Sequence, residues 1–140
     1  MKLNNIIKIS TVDCQKIGGM LRVSATEVKM NAYFDFSSFE ELADIRKPAA
    51  LFVEEKIEDG QRLFNTKLVF YICEDWIEDI KRKAFLCETI DGNRYLIGTD
   101  ERPYPVVTRK TTHPNNYTDN QLTEVTVTYT SDKMLPIVVK

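Results

Sequence analysis

Between Thr123 and Thr130 the chain alternates without a break: Val125, Val127 and Tyr129 share one parity, and Glu124, Thr126, Thr128 and Thr130 share the other. Successive side chains of a strand point to opposite faces, so this period of two predicts a strand with one face buried and one in water. Its Thr, Val and Tyr content also suits a pleated backbone. The run from Arg62 to Cys73 (RLFNTKLVFYIC) becomes nearly continuous in apolar residues toward its end, which predicts a central strand covered on both faces. Lys83 to Ile90 and Arg94 to Thr99 flank Asp91-Gly92, a pair that tolerates positive φ at both central turn positions. Asn93 extends the same turn chemistry, so a hairpin is expected there.

The stretch from Met20 to Phe34 alternates but changes phase. Leu21, Val23 and Ala25 share one parity, whereas Val28, Met30, Ala32 and Phe34 share the other. One extra residue near Thr26 keeps both sets inward, which predicts a bulge or a tight turn. Gly18-Gly19 reads as a turn before this stretch. Ile6, Ile7 and Ile9, Leu51 to Val53, and Pro105 to Thr108 are shorter strand candidates, with Pro105 at a strand start or on an edge.

Two short helices are expected between the strands. Ser38-Phe39-Glu40-Glu41 matches a capping box, with Phe39, Leu42 and Ile45 on one face and Pro48 ending the helix. Asp75 with Glu78 opens a second, whose apolar side is Trp76, Ile77 and Ile80. Its basic end is Lys81, Arg82 and Lys83. At 140 residues, with no internal repeat and too few Gly and Pro for a linker, residues 1–140 are read as one domain. The expected fold is mainly β: an antiparallel β-sandwich or barrel with two short helical insertions.

Chemistry is hard to place on this chain. Nineteen Lys and Arg oppose 21 Asp and Glu, a formal charge of −2, so a whole-molecule grip on nucleic acid or an anionic membrane is not expected. No apolar run approaches the roughly 20 residues of a membrane helix, and the N-terminus lacks the apolar core and cleavage site of a signal peptide. The single histidine, His113, lies in a polar loop with no Gly-x-Ser-x-Gly elbow to serve. Cys14, Cys73 and Cys87 lack metal or disulfide spacing, and the last two read as small buried hydrophobes in a reducing compartment. The acidic pairs Glu40-Glu41, Glu54-Glu55 and Glu58-Asp59 are adjacent in sequence and cannot face each other across a cleft as a glycosidase pair must. They read as acidic surface. Lys81-Arg82-Lys83 is closely preceded by Glu74, Asp75, Glu78 and Asp79, so direct nucleic-acid binding is not expected either. No enzyme, metal or cofactor is expected from these residues.

The distribution of charge is more informative. Seven acids (Glu40, Glu41, Asp44, Glu54, Glu55, Glu58, Asp59) face three bases between residues 40 and 59. From Arg102 to Thr118 there is no acid, while Arg102, Arg109 and Lys110 are basic. Two unlike complementary patches on one molecule suit head-to-tail contact, which closes into rings or extends into tubes.

The stretch DGNRYLIGTDERPYPVV, Asp91 to Val107, resembles a motif in small proteins of phages and prophages of Bacteroidetes. There a hairpin turn of Asp or Asn with Gly leads into a strand ending Leu-Ile-Gly-Thr, followed by a Pro-containing turn and a further strand. The preceding Leu68 to Ile90 region and the strand from Leu122 to Tyr129 fit the same pattern, so the likeness covers about half the chain. It implies a non-enzymatic virion protein of the neck or tail, at the head-tail junction or beyond it. Such a protein assembles by subunit packing, as a ring, on itself and on portal, neck or tail components. Its setting is the host cytoplasm during assembly and the virion afterwards. Gly98 permits a bulge or close approach of another backbone, and Asp100 to Tyr104 forms a charged, Pro-stiffened loop. The expected inter-subunit contacts are Arg94, Asp100, Glu101, Arg102, Tyr104, Arg109 and Lys110. The competing expectation is a β-sandwich binding module for a carbohydrate or protein, presenting Trp76, Tyr104 and Tyr117.

Overall fold

A computed structural model describes residues 2–24, 26–30, 36–41, 49–72, 83–100, 103–112 and 122–139. Eleven strands follow in chain order: β1 (Lys2–Asp13), β2 (Leu21–Arg22), β3 (Glu27–Lys29), β4 (Glu40–Glu41), β5 (Ala49–Glu58), β6 (Gln61–Ile72), β7 (Lys83–Thr89), β8 (Arg94–Ile97), β9 (Val106–Thr112), β10 (Leu122–Ser131) and β11 (Ile137–Val139). They form one open mixed sheet, so the fold is mainly β as expected. The strand order is β2-β3-β11-β8-β7-β1-β5-β6-β10-β9, with β4 beside β1. Among the described residues only β3 and β11 pair in parallel.

The sheet is curled. A flat sheet would hold β8 and β10, five spacings apart, at roughly 24 Å. Instead Leu96 of β8 and Tyr129 of β10 line the same cleft. Curling lets the inner faces of both halves share one core, which includes Ile9, Leu51, Leu68, Phe70, Phe85, Cys87, Ile97, Val125 and Val127. A second cluster forms on the reverse face of β1, β7 and β8, where Val12, Ala84, Leu86 and Leu96 meet Cys14, Ile17, Val28 and Val138. Strand β7 is therefore buried on both sides, and its residues alternate strictly between the two clusters.

Strand β1 reaches both clusters by ordinary alternation, with Ile9 in the first and Val12 in the second, and it also carries a bulge. Ile6 lies opposite Thr89 and Lys8 opposite Glu88, so Ile7 is the extra residue and is left 63% exposed. This puts Ile6 and Ile9, of opposite parity, on the same face. At its end Asp13 accepts a hydrogen bond from the Gln15 amide and caps the 3-10 turn Cys14–Ile17, which carries Cys14 and Ile17 into the second cluster.

The alternation of β10 is realised as read, with Val125, Val127 and Tyr129 buried. So is the hairpin at Asp91-Gly92: the Gly92 amide donates to the Thr89 carbonyl and the Thr89 amide to Asn93. Only Gly92 there has positive φ, at 88°, because the loop holds four residues rather than two. The phase change near Thr26 is a tight turn between β2 and β3. Leu21 and Val23 nevertheless stay exposed: among the described residues β2 is an edge strand, and Val23 lies just past its end. Tyr95 and Ile97 face the main core and Leu96 the second, as their parity predicts.

The helix expected from Ser38 is not formed at its start. Phe36–Ser38 makes a 3-10 turn, and Glu40 and Glu41 extend to pair with Thr11 and Ser10 of β1. Lys8 also reaches Glu41 at 3.7 Å. Pairing with a sheet edge here replaces the capping box. Residues 42–48 and the second expected helix, apart from Lys83 at the start of β7, lie outside the described residues.

Candidate functional site

The β5–β6 hairpin outgrows the sheet. Its strands pair from Ala50 opposite Val69 to Glu58 opposite Gln61. Neighbouring β1 reaches β5 only as far as Phe52, and β10 follows β6 only to Phe64. Beyond Val53, among the described residues, no strand covers the outer edge of β5, and beyond Glu55 and Phe64 the two strands project together as a free arm. Asp59 and Gly60 close the arm with φ of 51° and 76°. Positive φ at both central positions makes the two-residue turn whose twist suits adjoining strands. At the tip Ile57 is 71% exposed although its parity continues that of the buried Leu51 and Val53. Glu54, Glu55, Glu58 and Asp59 make the arm acidic against Lys56 and Arg62, and the Arg62 Nε donates to Glu55 Oε1 at 2.7 Å.

At the far end of the strand order lies β9, paired on one side with β10 and on the other with nothing among the described residues. Val107 turns toward the main core, while Val106, Thr108, Arg109 and Lys110 are exposed. The molecule thus presents an acidic arm edge and a basic sheet edge.

The seven expected contact residues do not fall on one element. Arg109 and Lys110 lie on β9. Arg94 lies opposite Glu88 on β8, with its guanidinium 5.8 Å from the Phe36 ring centroid. Asp100 is exposed but lies against Gly18, where an added Cβ would come within 3.3 Å of its Oδ2. Tyr104 is half-buried against the second cluster. Glu101 and Arg102 lie outside the described residues, as do His113, Cys73, Trp76 and Tyr117. The residue that sequence reading missed is Ile57, together with the turn beneath it. The signal was available in Asp59-Gly60, the same dipeptide as Asp91-Gly92.

A cleft of about 340 Å³ opens between the curled halves, lined by Met20, Arg22, Asp100, Tyr129, Lys133 and Met134 among others. The Arg22 Nη2 donates to the Met134 carbonyl at 3.2 Å and ties β2 to the β10–β11 connection. Cys14 and Cys87 are unpaired and buried. Burial, with Asp13 and Asp100 adding to it and Lys83 opposing, pushes the Cys14 thiol up to about 11. Burial alone pushes Cys87 up to about 12. Both are poor nucleophiles at neutral pH. No three His, Cys, Asp or Glu side chains converge as a metal site among the described residues. Among them, no helix is long and apolar enough to cross a membrane. No protein-family model, curated protein or solved structure matches the chain.

Proposed function

We propose that this protein is a structural subunit of a phage virion, placed in the neck or tail, which assembles by packing against copies of itself and against neighbouring virion components. It acts without making or breaking bonds. The observation that carries this reading is the projecting β5–β6 arm, whose acidic edge complements the basic edge of β9 on the same chain. The tip from Glu54 to Arg62 is exposed and lies outside the core of its own domain, whereas two unlike complementary surfaces suit head-to-tail rings. The resemblance of Asp91 to Val107 to small proteins of Bacteroidetes phages supplies the setting. The curled sheet, closing over its core in the manner of a β-sandwich, provides a stiff body for such a subunit. Mass spectrometry of purified particles from the parent phage or induced prophage tests the reading. The chain is expected at a copy number that is a multiple of a ring symmetry; its absence from intact particles contradicts the assignment.

The cleft at Arg22, Asp100 and Tyr129 favours one second reading, a β-sandwich binding module for a small polar ligand such as a carbohydrate. A monomer that binds glycans on an array, and loses that binding on Tyr129→Ala, would favour the module over the virion subunit.

A further inference from the structure

Among the described residues the sheet ends in two edges, and they are unequal. Strand β2 offers only Leu21 and Arg22, too few for stable pairing. Strand β9 offers seven residues, with a row of outward N–H and C=O groups that β10 does not use. The arm offers a similar row on β5 from Glu54 to Glu58, about 17 Å long at the usual rise per residue.

We propose that the arm of one copy adds its β5 edge, antiparallel, to the β9 edge of the next copy, with Glu54 opposite Lys110 and Glu55 opposite Arg109. This junction rests on the assembling-subunit reading and names the surfaces that reading uses.

Register follows from parity and charge. Glu55 and Ile57 continue the inner face of β5, and Val107 and Arg109 lie on the inner face of β9. A sheet running unbroken from one copy to the next pairs inner with inner, so only every second register is allowed. The proposed one sets Ile57 opposite Val107 and Lys56 opposite Thr108, and brings two acids onto two bases. Sliding two residues one way places Lys56 opposite Lys110, like on like. Sliding two residues the other way places Glu55 on Val107 and Glu54 on Thr108, and loses both charge pairs. The fixed register also gives Ile57, 71% exposed in the single chain, an apolar neighbour. Because arm and edge are different surfaces, each copy that gives its arm leaves its own β9 open for the next, and growth ends only when a ring closes.

Charge reversal tests this directly. One variant carries Glu54→Lys and Glu55→Lys; the other carries Arg109→Glu and Lys110→Glu. All four positions are exposed and the Glu55–Arg62 pair is a surface one, so both variants are expected to stay folded with only a small change in melting temperature. Each variant alone is expected to sediment as a monomer. An equimolar mixture is expected to assemble into oligomers of the two variants in alternation, because the reversed arm meets the reversed edge and the native arm meets the native edge. In addition, Glu54→Cys with Lys110→Cys is expected to give a ladder of disulfide-linked oligomers on oxidation. Lys56→Cys with Lys110→Cys, and each single cysteine variant, are not. The inference is overturned if either reversed variant assembles alone, if the mixture stays monomeric, or if the wild-type chain stays monomeric to its solubility limit. In each of those cases the virion assignment still stands or falls separately, on whether the chain is present in particles.

Discussion

The molecule contains two hairpins closed by the same dipeptide, and they have opposite fates. Asp91-Gly92 joins β7 to β8, where Phe85, Cys87 and Ile97 fill one core and Ala84, Leu86 and Leu96 fill another. Asp59-Gly60 joins β5 to β6, whose tip from Glu54 to Arg62 is exposed. The dipeptide is shared although it sits in a four-residue loop in one and forms a two-residue turn in the other, so it alone does not decide what a hairpin is for. The difference lies in the flanking side chains. Around Asp91-Gly92 both parities are apolar. Around Asp59-Gly60 the tip from Glu54 to Arg62 is mostly charged, so it has no apolar face to hide and one apolar side chain, Ile57, to offer, while Leu63 and Phe64 at its base are half-buried. A two-stranded ribbon of this kind is marginal by itself, and it stands because its root, Leu51 and Val53 against Leu68, is anchored in the core.

The comparison can be broken most forcefully in the body. Phe70 lies on β6 below the arm and is fully buried in the main core. Phe70→Ala is expected to cost about 3–5 kcal/mol in denaturant unfolding, from lost burial and the cavity it leaves. A cost below 1 kcal/mol would show that the curled sheet does not close over that face. Next is Gly98, at φ 114°, where a Cβ would lie 3.0 Å from Pro105 Cγ and 3.2 Å from Ala84 Cβ. Gly98→Ala is expected to destabilise by about 1–3 kcal/mol, since strained backbone and close contact act together.

The two turns then sharpen it. Gly60 and Gly92 both have positive φ and open space around them, so an alanine meets the same backbone penalty of about 1–2 kcal/mol at either. In Gly92→Ala this is expected to lower global stability, because β7 and β8 carry both cores. In Gly60→Ala it is expected to appear as faster amide hydrogen exchange in the arm, with little change in melting temperature. Equal shifts in melting temperature would mean that arm and body unfold as one.

A smaller effect separates the regions by pH. Both buried thiols belong to the body. In the unfolded chain they titrate near 9, but folded they hold their protons to about 11 and 12. Below pH 9 both states are protonated and these groups leave stability flat. Above it the unfolded chain sheds protons first, so stability falls as pH rises from 9 toward 12. The Cys14→Ala, Cys87→Ala double variant is expected to flatten that part of the stability curve measured in denaturant. Smallest of all, Ile57→Ser is expected to change stability by less than about 0.5 kcal/mol while weakening assembly.

Much of the body was legible in the sequence. Strict alternation located β10, and the Asp-Gly turn located β7 and β8 with their faces correctly assigned. Gly98 was readable as a position with no room for a side chain, but what crowds it is the Pro105 ring and the Ala84 side chain rather than another backbone. The bulge at Ile7 was not readable, because three isoleucines in four residues fit several registers and only the partner strands choose one. The exposure of Leu21 and Val23 was hidden too, since period alone does not reveal that a strand is an edge. The arm was missed for a related reason. Charges of both parities erase the alternation that marks a strand, leaving Glu54 to Asp59 to read as acidic surface. Of the candidate contacts, Arg109 and Lys110 were visible as charge. The edge that fits them became visible only once the ends of β1 and β10 were known.

The most direct measurement is the sedimentation mass of the wild-type chain beside one with a shortened arm, lacking Lys56, Ile57, Arg62 and Leu63. Removing two residues from each strand preserves parity, so Glu55 still faces Phe64 and Glu58 still faces Gln61. The wild type is expected at a multiple of 16.2 kDa and the shortened chain as a single copy with an unaltered melting curve. Identical masses for the two chains, whether both assembled or both single, would contradict the assignment of the arm as the subunit's joining element.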